Sequence, residues 1–339
     1  MRPGAMLISF DLELVWGTRR NAHDGAHATG IERVRDVVHS LLDVFVKYEM
    51  STTWAAVGHL MLTPEHCVDG RYDYDLPAPE PAWFRGNWYS GIPCQGDGAS
   101  DRYYAPDLIE AIIACPVYQE LASHTFSHVV FGDPSCSRDV AAAELQRCKE
   151  LGRYWGREIN SLVFPRNSIG HLDVAAESGY KCYRGVNSEW YWFGRAGRPP
   201  DTSRMAKVTG LGQRVLRFAD ERLRICPPLP PARRVGGLWE LPHSMYFPGS
   251  SGLSRFVSPE HQWCRAVKGL RKAADTGRIF SLFTHPHNFL PNPAPHLRAI
   301  ESICQEAARL RDSHRLGIRT MGEIADDLDR EENLHWTAE

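Results

Sequence analysis

The sequence has no C-x-x-C pair and almost no net charge, and none of its apolar runs approaches the ~18 residues that would cross a membrane. Its nine cysteines, at 67, 94, 115, 136, 148, 182, 226, 264 and 304, are odd in number and irregularly spaced. That pattern argues against a disulfide framework and a cysteine-ligated zinc, and reads as reduced thiols used as small apolar residues. A formal charge of −2 with a pI near 6.7 gives no whole-chain case for nucleic-acid binding. The first strand begins by about Ala5, which leaves no room for a signal peptide, so a cytoplasmic location is expected. There is no internal repeat or low-complexity tract.

What is present is an ordinary globular composition, 43% apolar and 24% charged over 339 residues, enough for a large core. One elaborated α/β domain over residues 1–330 is expected, followed by a short tail, 331–339. AMLISFD (5–11) is a continuous apolar run ending in acids, the form of a buried parallel strand whose C-terminal end opens onto a site. Thr29 and Glu32 have capping-box spacing, and Val34, Val37, Val38, Leu41, Leu42 and Phe45 follow at helical intervals, predicting a helix over 30–49.

Strands are then predicted at 51–58, 119–124, 161–165, 181–185, 237–242 and 278–285, with helices from Pro106, at 138–157, near 172–178, at 258–276 and at 295–313. LGIRT (316–320) closes the series, and Thr320 with Glu323 opens a last short helix through a second capping box. Seven or eight β-then-α units predict a parallel sheet with helices outside, closed or nearly closed, with its site at the C-terminal strand ends.

Two stretches interrupt this rhythm. Residues 60–105 are rich in Pro, Gly and aromatics, and 186–235 holds nine Arg and one Lys against four acids. Both follow strands, so both are expected over the barrel mouth as long loop insertions shaping a pocket. The basic surplus, with Arg214 and Arg217 inside it, points to an anionic group such as phosphate, or else to a solvated surface helix. Asp220 and Glu221 interrupt the basic face, which weighs against contact with anionic lipid without removing it.

The chemistry starts at ISFDLELVWG (8–17). Side chains alternate along a strand, so Asp11 and Glu13 face one way and Leu12 the other. Two carboxylates on one face repel unless a cation, a proton or solvent relieves them. SHTFSH (123–128) follows the third strand; His124 and His128, four apart in a helical turn, can grip one metal, and Glu13 can complete the set. Asp11 beside them suits a general base. His285, which directly ends the strand of THPHN (284–288), can protonate a leaving amine and is better placed than His287. Arg166, in VFPRN (163–167), can hold Asp11 ionised by a bidentate contact. Each residue has a plain alternative, respectively a solvated loop end, a surface histidine pair, a strand-capping histidine and a surface ion pair.

The order FDLE, HTFSH, FPRN and LFTHP, running from about Leu7 to Asp327, resembles the polysaccharide deacetylases (NodB-homology, carbohydrate esterase family 4). WAAVGHL, YRG (183–185) and THPHNF make it similar to their cytoplasmic branch associated with surface-sugar biosynthesis. The resemblance implies a distorted (β/α)7–8 TIM-like barrel, a divalent metal, usually zinc, and hydrolysis of an N-acyl group from an amino sugar. It implies Asp11 as base, Glu13, His124 and His128 as ligands, Arg166 as the group steadying the base and His285 as acid. One departure is that Leu12 separates the acids and the second is Glu13, where many relatives carry adjacent aspartates. That D-x-E form also occurs in allantoinase-like and cyclic-imide-hydrolysing relatives, some without the metal. An intracellular nucleotide- or lipid-linked N-acyl amino sugar is the expected partner. A metal-free imide hydrolase and a catalytically silent barrel that binds glycan precursors stay open beside it.

Overall fold

The computed structural model describes residues 3–19, 33–68, 71–72, 76–92, 102–186, 226–249 and 257–336. The strands of its main sheet include β1 (Gly4–Leu12), β2 (Thr52–Ala56), β5 (Gln119–Ser123), β6 (Ser161–Leu162), β7 (Cys182–Gly185), β8 (Arg233–Val235), β9 (Leu238–Pro242), β10 (Met245–Tyr246) and β11 (Ile279–Thr284). They run in the order β10-β11-β1-β2-β5-β6-β7-β9-β8. β12 (Leu316–Ile318) pairs with Gly4–Met6 of β1, and β2 takes over from Ser9 onward. β3 (Cys67–Val68) and β4 (Arg71–Tyr72) form a separate two-stranded sheet.

All pairs in the main sheet are parallel except β8 with β9. The sheet curls into a distorted barrel that stays open, since among the described residues no pairing joins β10 to β8. Helices α1 (Val34–Tyr48), α2 (Pro106–Ala114), α3 (Arg138–Tyr154), α4 (Leu172–Glu177), α5 (Pro259–Thr276) and α6 (Pro293–Asp312) follow strands, as the alternating pattern predicts. Ser137 and Ser258 cap α3 and α5 by accepting from Val140 N and His261 N. The predicted box at Thr320 and Glu323 forms, with reciprocal side chain to backbone bonds of 2.8 and 3.3 Å. It opens α7 (Met321–Trp336), which extends into the expected tail as far as Trp336.

Strand alternation decides what faces where. On β1, Met6, Ile8, Phe10 and Leu12 join the large core beneath the helices, where Phe10 stacks on Trp54 at 4.6 Å. Leu7 faces the other way, into a small cluster with Ala55, Ala122, Val163 and Cys182 that Met321, Ile324 and Ala325 of α7 close from below. Small residues on that face leave room, and Ser9, Asp11 and Glu13 continue it upward to the mouth.

Several expectations are corrected. β8 and β10 are short edge strands with too few residues for alternation to register. SHTFSH is not a helical turn but a bend with left-handed Thr125 (φ 57°) and His128 (φ 63°). Cys67 is disulfide-bonded, so the thiols are not all reduced, while the seven other described cysteines are free; sequence spacing does not reveal which Cβ atoms meet in space. Thr29 and Glu32, and most of the basic insertion with Arg214 and Arg217, lie outside the described residues.

Candidate active site

Asp11 and Glu13 are both buried, at 3% and 7% exposure, where uncompensated carboxylates are costly. Asp11 is relieved by Arg184 of β7, whose Nη1 and Nη2 donate to Oδ1 and Oδ2 at 2.5 and 2.7 Å. The same guanidinium donates to Ser9 Oγ and to Asn167 Oδ1, each at 3.3 Å, and lies 4.1 Å over the Phe283 ring. Burial alone would raise the Asp11 pKa, but Arg184 and then His285 outweigh it, and the carboxyl is held below its ordinary range.

Glu13 faces the histidines. Its Oε2 lies 3.0 Å from His128 Nε2 and 3.4 Å from His124 Nε2. Burial pushes this carboxyl up, yet His285, His124 and His128 together hold it well below the carboxylate range. The His124 ring is oriented by a 2.8 Å contact in which Nδ1 donates to Val163 O, and this leaves Nε2 facing Glu13. His128 is buried, and burial lowers its pKa and favours the neutral ring that a cation requires.

The loop carrying both histidines is pinned to the end of β2. His124 N donates to Ala56 O, while Gly58 N and His59 N donate to Thr125 O and Phe126 O. Of the eight described non-glycine residues with positive φ, five (Leu14, Thr125, His128, Arg166 and Asn167) belong to segments around this site, where such strain tends to gather.

The donor set fits a divalent cation. One ligand atom from each of Glu13, His124 and His128 lies within 4.8 Å of the others. Ligands at about 2.0–2.1 Å on a tetrahedron stand roughly 3.3–3.4 Å apart, and the two N–O separations of 3.0 and 3.4 Å lie near that figure. A carboxylate with two imidazoles suits zinc and leaves further positions for water and substrate.

His285 Nε2 stands 3.5 Å from Asp11 Oδ2 and 3.7 Å from Glu13 Oε1. His287 lies further out, its Nδ1 4.0 Å from Glu13 Oε1, and burial and the adjacent His285 lower its pKa to about 4. The structure thus brings five of the six sequence-assigned residues together. Arg166 is the correction: the fork on Asp11 comes from Arg184, whereas exposed, left-handed Arg166 stacks 4.1 Å over the Trp83 ring, whose Nε1 donates to Asp133. Left-handed Asn167 turns inward instead, onto Arg184. The signal that could have found Arg184 is an arginine inside a buried strand, KCYRG, where an unpaired charge is rarely tolerated.

No family model matches the chain. No curated protein matches it either. Solved structures match over nearly all of its length. One assigned as a polysaccharide deacetylase, from Mycobacterium smegmatis, is 14% identical with a TM-score of 0.58, covering 98% of this chain and 95% of that one. Another so assigned, from Pseudomonas aeruginosa PAO1, is 13% identical with a TM-score of 0.52, covering 96% and 91%. A 4-alpha-glucanotransferase from Thermococcus litoralis is 13% identical with a TM-score of 0.50; 95% of this chain spans 40% of that one. These likenesses establish the fold, a distorted TIM-like barrel. Because the glucanotransferase shares it, the reaction has to be argued from the site.

Proposed function

We propose that the chain is a divalent-metal-dependent hydrolase that removes an N-acyl group, acetyl or formyl, from an amino sugar. The observation that carries the reading is the convergence of Glu13, His124 and His128 beside an arginine-held Asp11 and the half-open His285. Glu13, His124 and His128 would hold the cation, most simply Zn2+. Bound there, a cation supplies Lewis acidity, which makes a water easier to deprotonate and polarises the acyl carbonyl.

The chain's own groups do the rest. Asp11 stays ionised because Arg184 grips both its oxygens, so it can take the proton of the attacking water. His285, within 4 Å of both carboxylates and less buried than either, delivers a proton to the departing amine. Arg166 on its Trp83 platform is a substrate contact at the rim and not a support for the base. A phosphate-bearing intermediate, nucleotide- or lipid-linked, is the favoured substrate, on the strength of the basic composition of 186–235. Among the described residues no helix is long and apolar enough to cross a membrane, and a cytoplasmic protein with at most peripheral membrane contact is the proposed setting.

The test is acetate or formate release from a panel of N-acyl amino sugars, free and nucleotide-linked, with and without chelator. Release that chelation stops and zinc restores supports the proposal. Release of amide products from cyclic imides that survives chelation favours the metal-free hydrolase. Sugar binding without turnover favours a silent barrel.

A further inference from the structure

Among the described residues, fully buried Glu144 of α3 has no arginine, lysine or histidine as a hydrogen-bond partner; it accepts three hydrogen bonds from Ser127 and Tyr89, and the Thr125 hydroxyl also acts to hold its carboxyl down against burial. Its Oε2 accepts from Ser127 N at 2.8 Å. Its Oε1 accepts from Ser127 Oγ at 2.6 Å and from Tyr89 OH at 3.3 Å. Ser127 Oγ in turn accepts from Trp88 Nε1 at 2.8 Å, so its single proton is committed to Glu144. Ser127 immediately precedes His128, whose left-handed backbone (φ 63°) has to be held against its own preference. Trp88 and Tyr89 belong to the aromatic insertion of residues 60–105.

The geometry assigns Glu144 as a positioning residue for the metal centre: through both polar groups of Ser127 it fixes the conformation that presents His128 to Glu13, and through Trp88 and Tyr89 it clamps the 60–105 insertion to that loop. This rests on reading Glu13, His124 and His128 as the cation site. Glu144 does not touch that site; it acts through one serine. A glutamine has the same shape but turns an NH2 toward one of three donors, breaking the pattern with little change in volume.

The experiment is a zinc dissociation constant, by chelator competition on the full chain, for wild type, Glu144→Gln and Ser127→Ala. Each is paired with the visible spectrum of the Co2+-loaded protein and with the unfolding midpoint of the metal-free protein. Both variants are expected to bind zinc about 10- to 100-fold more weakly, with an altered Co2+ spectrum, as partners behind metal ligands typically behave. Wild-type affinity and spectrum in the variants, whatever their unfolding midpoints, would reduce Glu144 to a structural residue. If Glu144→Gln does not fold, Ser127→Ala, which keeps the backbone bond, decides alone. Failure of the wild type itself to bind zinc overturns the metal reading and this inference with it, a result distinct from a loss confined to the variants.

Discussion

Arg184 and Asp11 sit on strands separated by three others in the sheet, yet they meet as a two-bond fork across its concave side, at 2.5 and 2.7 Å. A buried ion pair of this kind is costly to half-remove, because the remaining charge has neither water nor partner. Arg184→Met is therefore expected to lose about 3–5 kcal/mol of stability and nearly all turnover. Adding Asp11→Asn should recover much of the stability and none of the activity. Chemical denaturation of the two single variants and the double variant checks this; strictly additive losses would mean that the pair is not coupled.

Gly17 is the end of the stretch that opens the site. A Cβ built there would lie 2.1 Å from Glu13 Oε1 and 2.3 Å from Cδ, so the carboxylate occupies the space a side chain would fill. The obstructing atoms are the far end of a flexible side chain, and a backbone compatible with alanine usually gains about 0.4–1 kcal/mol from the exchange, which offsets the displacement of that side chain. Gly17→Ala should keep its unfolding midpoint while zinc affinity falls on the order of tenfold or more, because Glu13 must swing away. Unchanged affinity would show that Glu13 is not a ligand.

Arg166→Ala separates two roles. A support for Asp11 would lower kcat, whereas a rim contact stacked on Trp83 should raise KM and leave kcat and metal content near wild type. Steady-state kinetics on the best N-acyl substrate gives the answer, and a fall in kcat alone would restore the support role.

Acid sensitivity should arise in the core as well as in the site. His59 is packed against Trp16, Tyr104 and Phe126, and burial lowers its pKa to about 3 from an ordinary 6.5. The unfolded chain thus takes up a proton that the folded chain refuses. Stability complete above pH 6.5 is lost as pH falls toward 3, by up to ~1.4 kcal/mol per pH unit from this residue. His59→Phe should flatten that slope in denaturation curves from pH 7 to 4; an unaltered slope would assign it to other groups.

The sequence carried the periodic part of this structure. Long strands such as β1 and β11 and amphipathic helices such as α1 and α5 announce themselves by alternation or by 3.6-residue spacing, and Asp11, Glu13, His124, His128 and His285 stand at strand ends where side chains have little else to do. VFPRN points to Arg166 as the partner of Asp11, but local sequence cannot show that two successive left-handed residues turn Asn167 inward and Arg166 outward. Arg184 and Glu144 are hidden for a related reason. Each acts across the fold, through partners 173 and 17 residues away in sequence, and neither distance leaves a periodic trace. The Cys67 disulfide is likewise a matter of which chains of contacts the insertion makes, and spacing is silent about it.

The most direct measurement is metal content by elemental analysis, on protein purified without chelator or affinity tag, beside His124→Ala. The expected result is about one zinc or similar divalent ion per chain, absent from the variant, with the fold intact because ligands at a strand mouth add little to the core. Metal-free wild type, even after equilibration with zinc, would contradict the three-ligand centre and the hydrolytic reading built on it.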